Sequence, residues 1–402
     1  MANLQGTSNH LSGRMVTDSG IIEDAVLSWE GSRITYAGPA RPTDGAGSPP
    51  LPEGALILPG LVDLHCHGGG GGDFTSGSAE DIRTAVSFQH RSGTTTLLAS
   101  TGAAPAGDLL EAFPLLSTAA DEGLIAGIHA EGPFLSPARA GMHDPEHLQS
   151  PDEGLLTELA AAAGGHLISM TYAPELEGTD TLVYDLVTHG IIPAIGHTDC
   201  TAEQASAALD LINEELASTG FDGFSGRPMA THLFNAMPAI HHRSPGPVPL
   251  LLERARAGEI AVELIADNVH LHADTARMAF TLAGPANICL VSDSTAAAGR
   301  GEGVFWLGRS EITVQNGVAR RGAAEAPAGG TRTLLEVVRC AVEAGVGLRD
   351  AVVSASAVPA GVLGLADELG SLRPGLRADA VIVSAGLDLL GVLRAGVWLK
   401  LP

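Results

Sequence analysis

From about residue 59 to 293 the chain alternates short apolar runs with longer amphipathic or alanine-rich stretches. The runs at 61–67, 94–100, 124–131, 167–173, 191–196, 229–234, 260–267 and 288–293 read as strands. Between them, stretches such as 79–91, 105–121, 152–163, 201–217 and 272–283 read as helices. Strands that alternate with helices form a parallel sheet. Eight such units, roughly 30 residues apart, predict an α/β fold of the (β/α)8 TIM-barrel type. An open doubly wound sheet is the alternative, but no glycine fingerprint after the first strand opens directly into a helix. The flanks read differently. Strands at 25–29 and 33–36 are split by Glu30-Gly31-Ser32, and 41–54 is a linker rich in Pro, Gly and Ser. After the eighth strand, Asn316-Gly317 predicts a hairpin between 311–314 and 318–320. Helices follow at 330–345 and 348–356, then strands at 378–384 and 392–399. The expected organisation is a small β-sandwich domain from 1–58 and 360–402. It flanks a catalytic barrel at 59–359 with a β-hairpin insertion near 305–322.

The first strand runs into Asp63-Leu64-His65-Cys66-His67 and then a glycine run, Gly68 to Gly72. Alternate side chains of a strand face one way, so His65 and His67 project together while Cys66 points oppositely. Barrel chemistry sits at the C-terminal ends of the strands, and other polar residues collect there. The third run ends His129-Ala130-Glu131, the fifth Gly196-His197; the sixth holds Thr231-His232, and the eighth ends Ser292-Asp293. One such residue is readily a cap or a satisfied core histidine. Six on five strand ends of one barrel point to a metal centre. Imidazole and carboxylate donors suit Zn2+ and neighbouring divalent ions, one or two per subunit. Such an ion lowers the pKa of its water and polarises a carbonyl. Asp293 beside it can take a proton and pass it to a leaving amine. The chemistry is hydrolysis at a carbonyl or amidine carbon.

Charge narrows the partners. The formal net charge of −24 argues against nucleic acid or an anionic membrane. An anionic substrate has to be held locally, by a few arginines or backbone amides. The four cysteines (Cys66, Cys200, Cys289, Cys340) make no CxxC and no disulfide-like framework, which suits a reducing cytoplasm. No positively charged lead into an apolar core marks a signal peptide, and no apolar run reaches membrane-span length. The only lysine is Lys400, outside the barrel strands, which excludes a carboxylated lysine between two metals. If two ions bind, Glu131 has to bridge them.

Longer motifs are more specific: 129–135 (HAEGPFL), 141–145 (GMHDP), 196–198 (GHT), 231–237 (THLFNAM) and 291–294 (VSDS). On these the chain resembles the amidohydrolase superfamily, and within it the N-acetylglucosamine-6-phosphate deacetylases, over about 58–298 with a weaker match at 375–383. The resemblance implies Glu131, His197 and His232 as principal metal ligands and Asp293 as catalytic acid/base. It implies that Asn235 and Ala236 bind the sugar phosphate, with Arg243 reaching it from the neighbouring subunit of a homodimer. His143 and His270 would contact the sugar and the amide. Some relatives replace the HxH pair and hold one metal; His65 and His67 are kept here, so a second ion fits. The stretch 327–331 (PAGGT) and Phe305-Trp306 depart from the family pattern, and both bear on acyl and sugar preference. The expected reaction is hydrolysis of N-acetylglucosamine 6-phosphate to glucosamine 6-phosphate and acetate in the cytoplasm. Rivals are another amidohydrolase acting on a cyclic amide or amidine, and a non-catalytic scaffold of the same fold.

Overall fold

The computed structural model describes residues 10–41, 51–218, 227–322, 324 and 326–402. Most of the expected linker, 42–50, lies outside the described residues. Eight parallel strands form the central sheet: β1 (Leu61–Asp63), β2 (Thr94–Thr101), β3 (Gly127–Glu131), β4 (Leu167–Tyr172), β5 (Ile192–Ile195), β6 (Met229–Ala230), β7 (Ala261–Leu264) and β8 (Ile288–Leu290). Each pairs in parallel with the next in sequence. Cys66 bridges Ser294 in parallel, joining the continuations of β1 and β8. Here the His67 N–H donates to the Ser294 carbonyl at 2.8 Å and the Asp293 N–H to the His65 carbonyl at 2.9 Å. The ring is closed by the segments that carry the expected chemistry.

Several strands are shorter than their apolar runs. The run at 229–234 gives a two-residue strand, and β1 stops at Asp63. The remaining residues leave the ladder to aim side chains into the mouth. Helices pack outside, and their starts are legible: Ser78 and Asp81 form a capping box at helix Ala79–Arg91, as do Thr333 and Glu336 at Leu334–Glu343. The barrel wall and helices bury one large apolar cluster that includes Phe74, Phe113, Phe134 and Tyr172. No helix among the described residues is long and apolar enough to cross a membrane.

The terminal segments come together in one seven-stranded sheet. Its order is Val397–Lys400, Leu389–Arg394, Ala380–Val383, Leu56–Pro59, His10–Thr17, Gly20–Glu30, Arg33–Pro39. Met15, Leu27, Trp29 and Ile57 from the first segment share a core with Leu372, Ala380, Ile382 and Leu393 from the last. Asn316 and Gly317 turn the expected hairpin with φ of 53° and 74°. A third strand, Gly303–Leu307, pairs with Ser310–Gln315 beside it.

The terminal sheet docks on the closed end of the barrel, away from the C-terminal strand ends. Arg377 reaches the Thr96 hydroxyl at 2.5 Å, and Arg394 reaches the Thr95 and Gly123 carbonyls at 2.9 and 2.7 Å. At the junction a Cβ on Gly60 would lie 2.2 Å from the Thr95 hydroxyl and 2.6 Å from Asp379 Cβ, so only glycine passes. His90 is buried there; burial first, then the Arg394 and Arg377 charges, push its pKa down to about 3. An unfolded histidine titrates near 6.5. Between those values the unfolded chain binds the extra proton, so His90 subtracts stability as pH falls below about 6.5, and the loss stops growing near 3. Its ceiling is about 4–5 kcal/mol at 1.36 kcal/mol per pKa unit. His90→Gln is expected to be less stable than the native chain at pH 7. The gap should narrow or reverse by pH 4 when urea midpoints are compared at each pH.

Candidate active site

The site is built where the backbone leaves the strands. His197 follows β5, His232 follows β6 and Asp293 follows β8, each with a positive φ (47°, 25° and 48°). Phe234 and Ala236 in the loop after β6 share this left-handed backbone, at 80° and 48°. Each such residue costs on the order of 1–3 kcal/mol and persists where the surroundings hold it. At Gly196 a Cβ would approach the Thr231 side chain to 2.7 Å, so the chain passes tightly just before His197. These turns aim ring and carboxylate inward instead of along the pleat.

All five histidines around Glu131 present Nε2 to it. Glu131 Oε1 lies 2.8 Å from His232, 3.0 Å from His197 and 3.5 Å from His65. Oε2 lies 3.2 Å from His67 and 3.2 Å from His143. Asp293 Oδ1 stands 3.4 Å from His67 and 3.5 Å from His65. The Nε2 atoms approach each other in pairs, His65 to His67 at 3.0 Å and His197 to His232 at 3.1 Å. All of these residues are buried.

The other ring nitrogens say which form is present. His65 Nδ1 points at Glu263 Oε2 (3.1 Å) and His197 Nδ1 at the Arg139 carbonyl (2.9 Å). Both acceptors require N–H at Nδ1, which leaves Nε2 of each neutral ring with a bare lone pair. His67 Nδ1 and His232 Nδ1 find no partner among the described residues. Burial pushes the Glu131 carboxyl up, but His65, His197 and His143 outweigh it and hold it well below the carboxylate range. Burial likewise disfavours charge on His65 and His67, and the carboxylates outweigh it, so both are pulled up. The ionised carboxylates and the imidazoles crowded around them favour positive charge here, which protons on His65 and His67 supply in the bare site and a divalent cation would supply in their place. The residues present fit a metal: three groups of donors, His65–Glu131–His232, His65–His67–Asp293 and Glu131–His143–His197, each lie close enough to share an ion.

The comparisons with known proteins agree with this geometry. The amidohydrolase family profile matches residues 56–398. The chain belongs to the amidohydrolase family. It is 30% identical over 396 residues to the N-acetylglucosamine-6-phosphate deacetylase of Bacillus subtilis, covering 95% of this chain and 94% of that one. It is also 30% identical over 387 residues to an N-acetylgalactosamine-6-phosphate deacetylase of Escherichia coli O157:H7, covering 93% and 94%. Among solved structures it superposes with a TM-score of 0.89, at 35% identity over 98% of this chain and 100% of the other. That structure is a mutant N-acetyl-D-glucosamine-6-phosphate deacetylase from Mycobacterium smegmatis in complex with N-acetyl-D-glucosamine-6-phosphate.

In this amidohydrolase chain, cavities border the centre on either side of Met142. One is lined by Glu131, His197, His232, His270, Asp293, Asn235 and Ala236, closed on one side by Pro327 and Gly329. The expected substrate residues Asn235, Ala236 and His270 therefore share a cavity with the metal-fitting set. His143 and His67 line the second cavity. Arg243 lines neither; it is exposed, and its guanidinium meets His242 Nε2 at 2.7 Å. His143 Nδ1 faces the Ala103 N–H at 3.3 Å, so Nε2 carries the proton and faces the centre. Burial lowers the His143 pKa against the pull of Glu131, keeping the ring neutral.

Sequence reasoning missed three supporting acids. Glu263 on β7 orients His65 and also accepts the His232 N–H at 3.2 Å. Asp267 holds His270 Nδ1 at 2.9 Å and accepts two backbone N–H groups. Asp63 accepts the His65 and Ser292 N–H groups, and burial raises its pKa to about 7. An acid inside an apolar strand run was the available signal for Glu263. Carboxylates behind ligand histidines are worth about 10–100-fold in metal affinity. Glu263→Gln is expected to weaken metal binding by that factor, read by competition against a chromophoric chelator.

Proposed function

We propose that this chain hydrolyses the acetamide of N-acetylglucosamine 6-phosphate, giving glucosamine 6-phosphate and acetate, with a divalent cation held around Glu131. The observation that carries the reading is four imidazole Nε2 atoms and Asp293 gathered about one buried carboxylate. They stand at the mouth of a barrel whose relatives are named for this reaction. Imidazole and carboxylate donors without a thiolate favour Zn2+. Glu131, His197 and His232 would hold one ion; His65, His67 and Asp293 would hold a second, with Glu131 shared between them. Such a cation, when bound, makes a water more acidic and polarises an amide carbonyl.

The chain's own residues account for the rest. Asp293 is ionised: burial opposes this, and His67 and His65 outweigh it. Its Oδ2 faces His270 Nε2 across 3.9 Å on the substrate side. It takes a proton from the attacking water and returns it to the sugar nitrogen as the C–N bond breaks, while the water oxygen stays with acetate. Neutral His143 donates from Nε2 to the carbonyl oxygen as negative charge builds there. Asp267 fixes His270, leaving Nε2 free for the sugar. Asn235, the amides around Ala236 and Arg243 of a second copy hold the phosphate. The exposure of Arg243, with Ile240 51% exposed in the same loop, supports that homodimer. Four free, buried cysteines support a cytoplasmic setting. In this reading 59–359 is the catalytic unit, and the terminal segments brace its closed end.

The test measures acetate release from N-acetylglucosamine 6-phosphate beside the unphosphorylated sugar, with and without prior chelation. Release only from the phosphate, lost on chelation and restored by metal, is expected. Arg243→Ala should raise KM for the phosphate with little change in kcat. Release indifferent to the phosphate would keep a metal hydrolase and remove the phosphate site. N-acetylgalactosamine 6-phosphate belongs in the same assay, because a relative of equal identity is named for it.

A further inference from the structure

Beside the cavity of Asn235 and His270 lies the second one, on the far side of Met142. It opens from His67 and His143 outward between the ends of β2 and the hairpin. Its inner wall is small or apolar: Gly102, Ala103, Ala104 and Leu307. Gly102 adds no side chain to this wall, and a Cβ there would sit in ordinary contact with the His143 ring at 3.4 Å. Met142 lines both cavities and stands between them. The outer rim carries Arg309 and Arg321, and each has its own carboxylate. Arg309 makes a two-point pair with Asp108 at 2.6 and 2.7 Å. Arg321 meets Asp144 at 3.1 Å and the Met142 and His143 carbonyls at 3.2 and 3.3 Å. Both guanidiniums are thus paired in place, and Asp144 adds a carboxylate to the same rim as His147.

We infer that the second cavity is the acyl subsite, a space for neutral acyl chains longer than acetyl. This inference rests on the deacetylase reading above. A carbonyl carbon under attack at the centre carries the sugar nitrogen on one side and its acyl substituent on the other. With the sugar in the cavity of Asn235 and His270, the acyl chain points past His143 towards Ala104 and Leu307. Because the hairpin strand ending at Leu307 roofs this space, the hairpin sets how long a chain fits.

The test compares kcat/KM for N-acetyl-, N-propionyl- and N-butyrylglucosamine 6-phosphate, read as free amine released, on the metal-loaded full chain. The native enzyme is expected to keep propionyl within about tenfold of acetyl, the low end of the about 10–200-fold that one methylene is worth in an apolar pocket. Leu307→Ala, which widens the inner space, should raise the butyryl-to-acetyl ratio by about tenfold. Ser310→Phe, on the rim, should lower it by a similar factor. The ratio is internal to each variant, so a general loss of activity cancels. Unchanged ratios in both variants, with acetyl still released, would overturn the subsite and leave the deacetylase intact. No amine from any of the three phosphates with the native enzyme would overturn the parent reading and the subsite with it.

Discussion

Asp293→Asn is expected to lower kcat by about 10³-fold, the middle of the range for a lost general acid–base group, while the metal content of the purified protein stays at the native value. The substitution keeps the shape. Asn is among the few residues that tolerate the left-handed backbone at this position (φ 48°). The backbone bonds that fix the turn, from the Asp293 N–H to His65 and from the Gly330 N–H to the Asp293 carbonyl, are untouched. In the proposed reading Glu131, His197 and His232 would still hold an ion without it. What disappears is an ionised oxygen able to accept a proton and give it up again. Oδ1 faces His65 and His67 and Oδ2 faces His270, so this carboxylate bridges the metal-fitting imidazoles and the cavity of Asn235 and His270. Steady-state kinetics beside metal analysis decide the matter. Near-native turnover with full metal would remove Asp293 from the chemistry; loss of metal in parallel with turnover would make it chiefly a ligand.

The histidine pair shows what was legible in the chain and why. Alternation along an extended backbone requires only local geometry, and it survives past the end of β1. His65 and His67 meet at 3.0 Å while Cys66 turns away to Ser294 and the Gly68 carbonyl. Strand-end placement of Glu131, His197, His232 and Asp293 follows from the period of the barrel, and it too could be read. The left-handed turns at His197, His232 and Asp293 could not, because the mild tolerance of His and Asp for positive φ does not place such a turn at a given position. Tight passage at Gly196 and closure of the ring at Cys66 and Ser294 do so. Glu263 was hidden for the same reason. Its neighbours Ala261, Val262 and Leu264 are all buried, and only the tertiary arrival of the His65 ring and the His232 N–H gives its charge partners. The cavity beside His143 was beyond reach as well, since it joins residues around 75, 104, 143 and 307 that no motif connects.

Glu131→Gln tests the centre as a whole. It is expected to weaken metal affinity by more than about 100-fold, beyond the range for removing an outer partner of a ligand, and to abolish acetate release at ordinary metal concentrations. The argument is electrostatic. Five imidazoles lie within 2.8–3.5 Å of this carboxylate, and among the described residues it is the one carboxylate paired with the ring nitrogens of His197 and His232. The amide keeps the volume and one acceptor oxygen, so the fold has no cavity to fill, but it cannot serve two ions or offset their charge. Ion binding adds RT ln(1 + [L]/Kd) to stability, about 4.1 kcal/mol at a thousandfold excess over Kd. Added Zn2+ should therefore raise the melting temperature of the metal-stripped native chain clearly and that of Glu131→Gln little or not at all. That readout is independent of turnover. An equal rise in both would mean that His65, His67 and Asp293 carry the metal without Glu131, and the centre would hold one ion on that side alone.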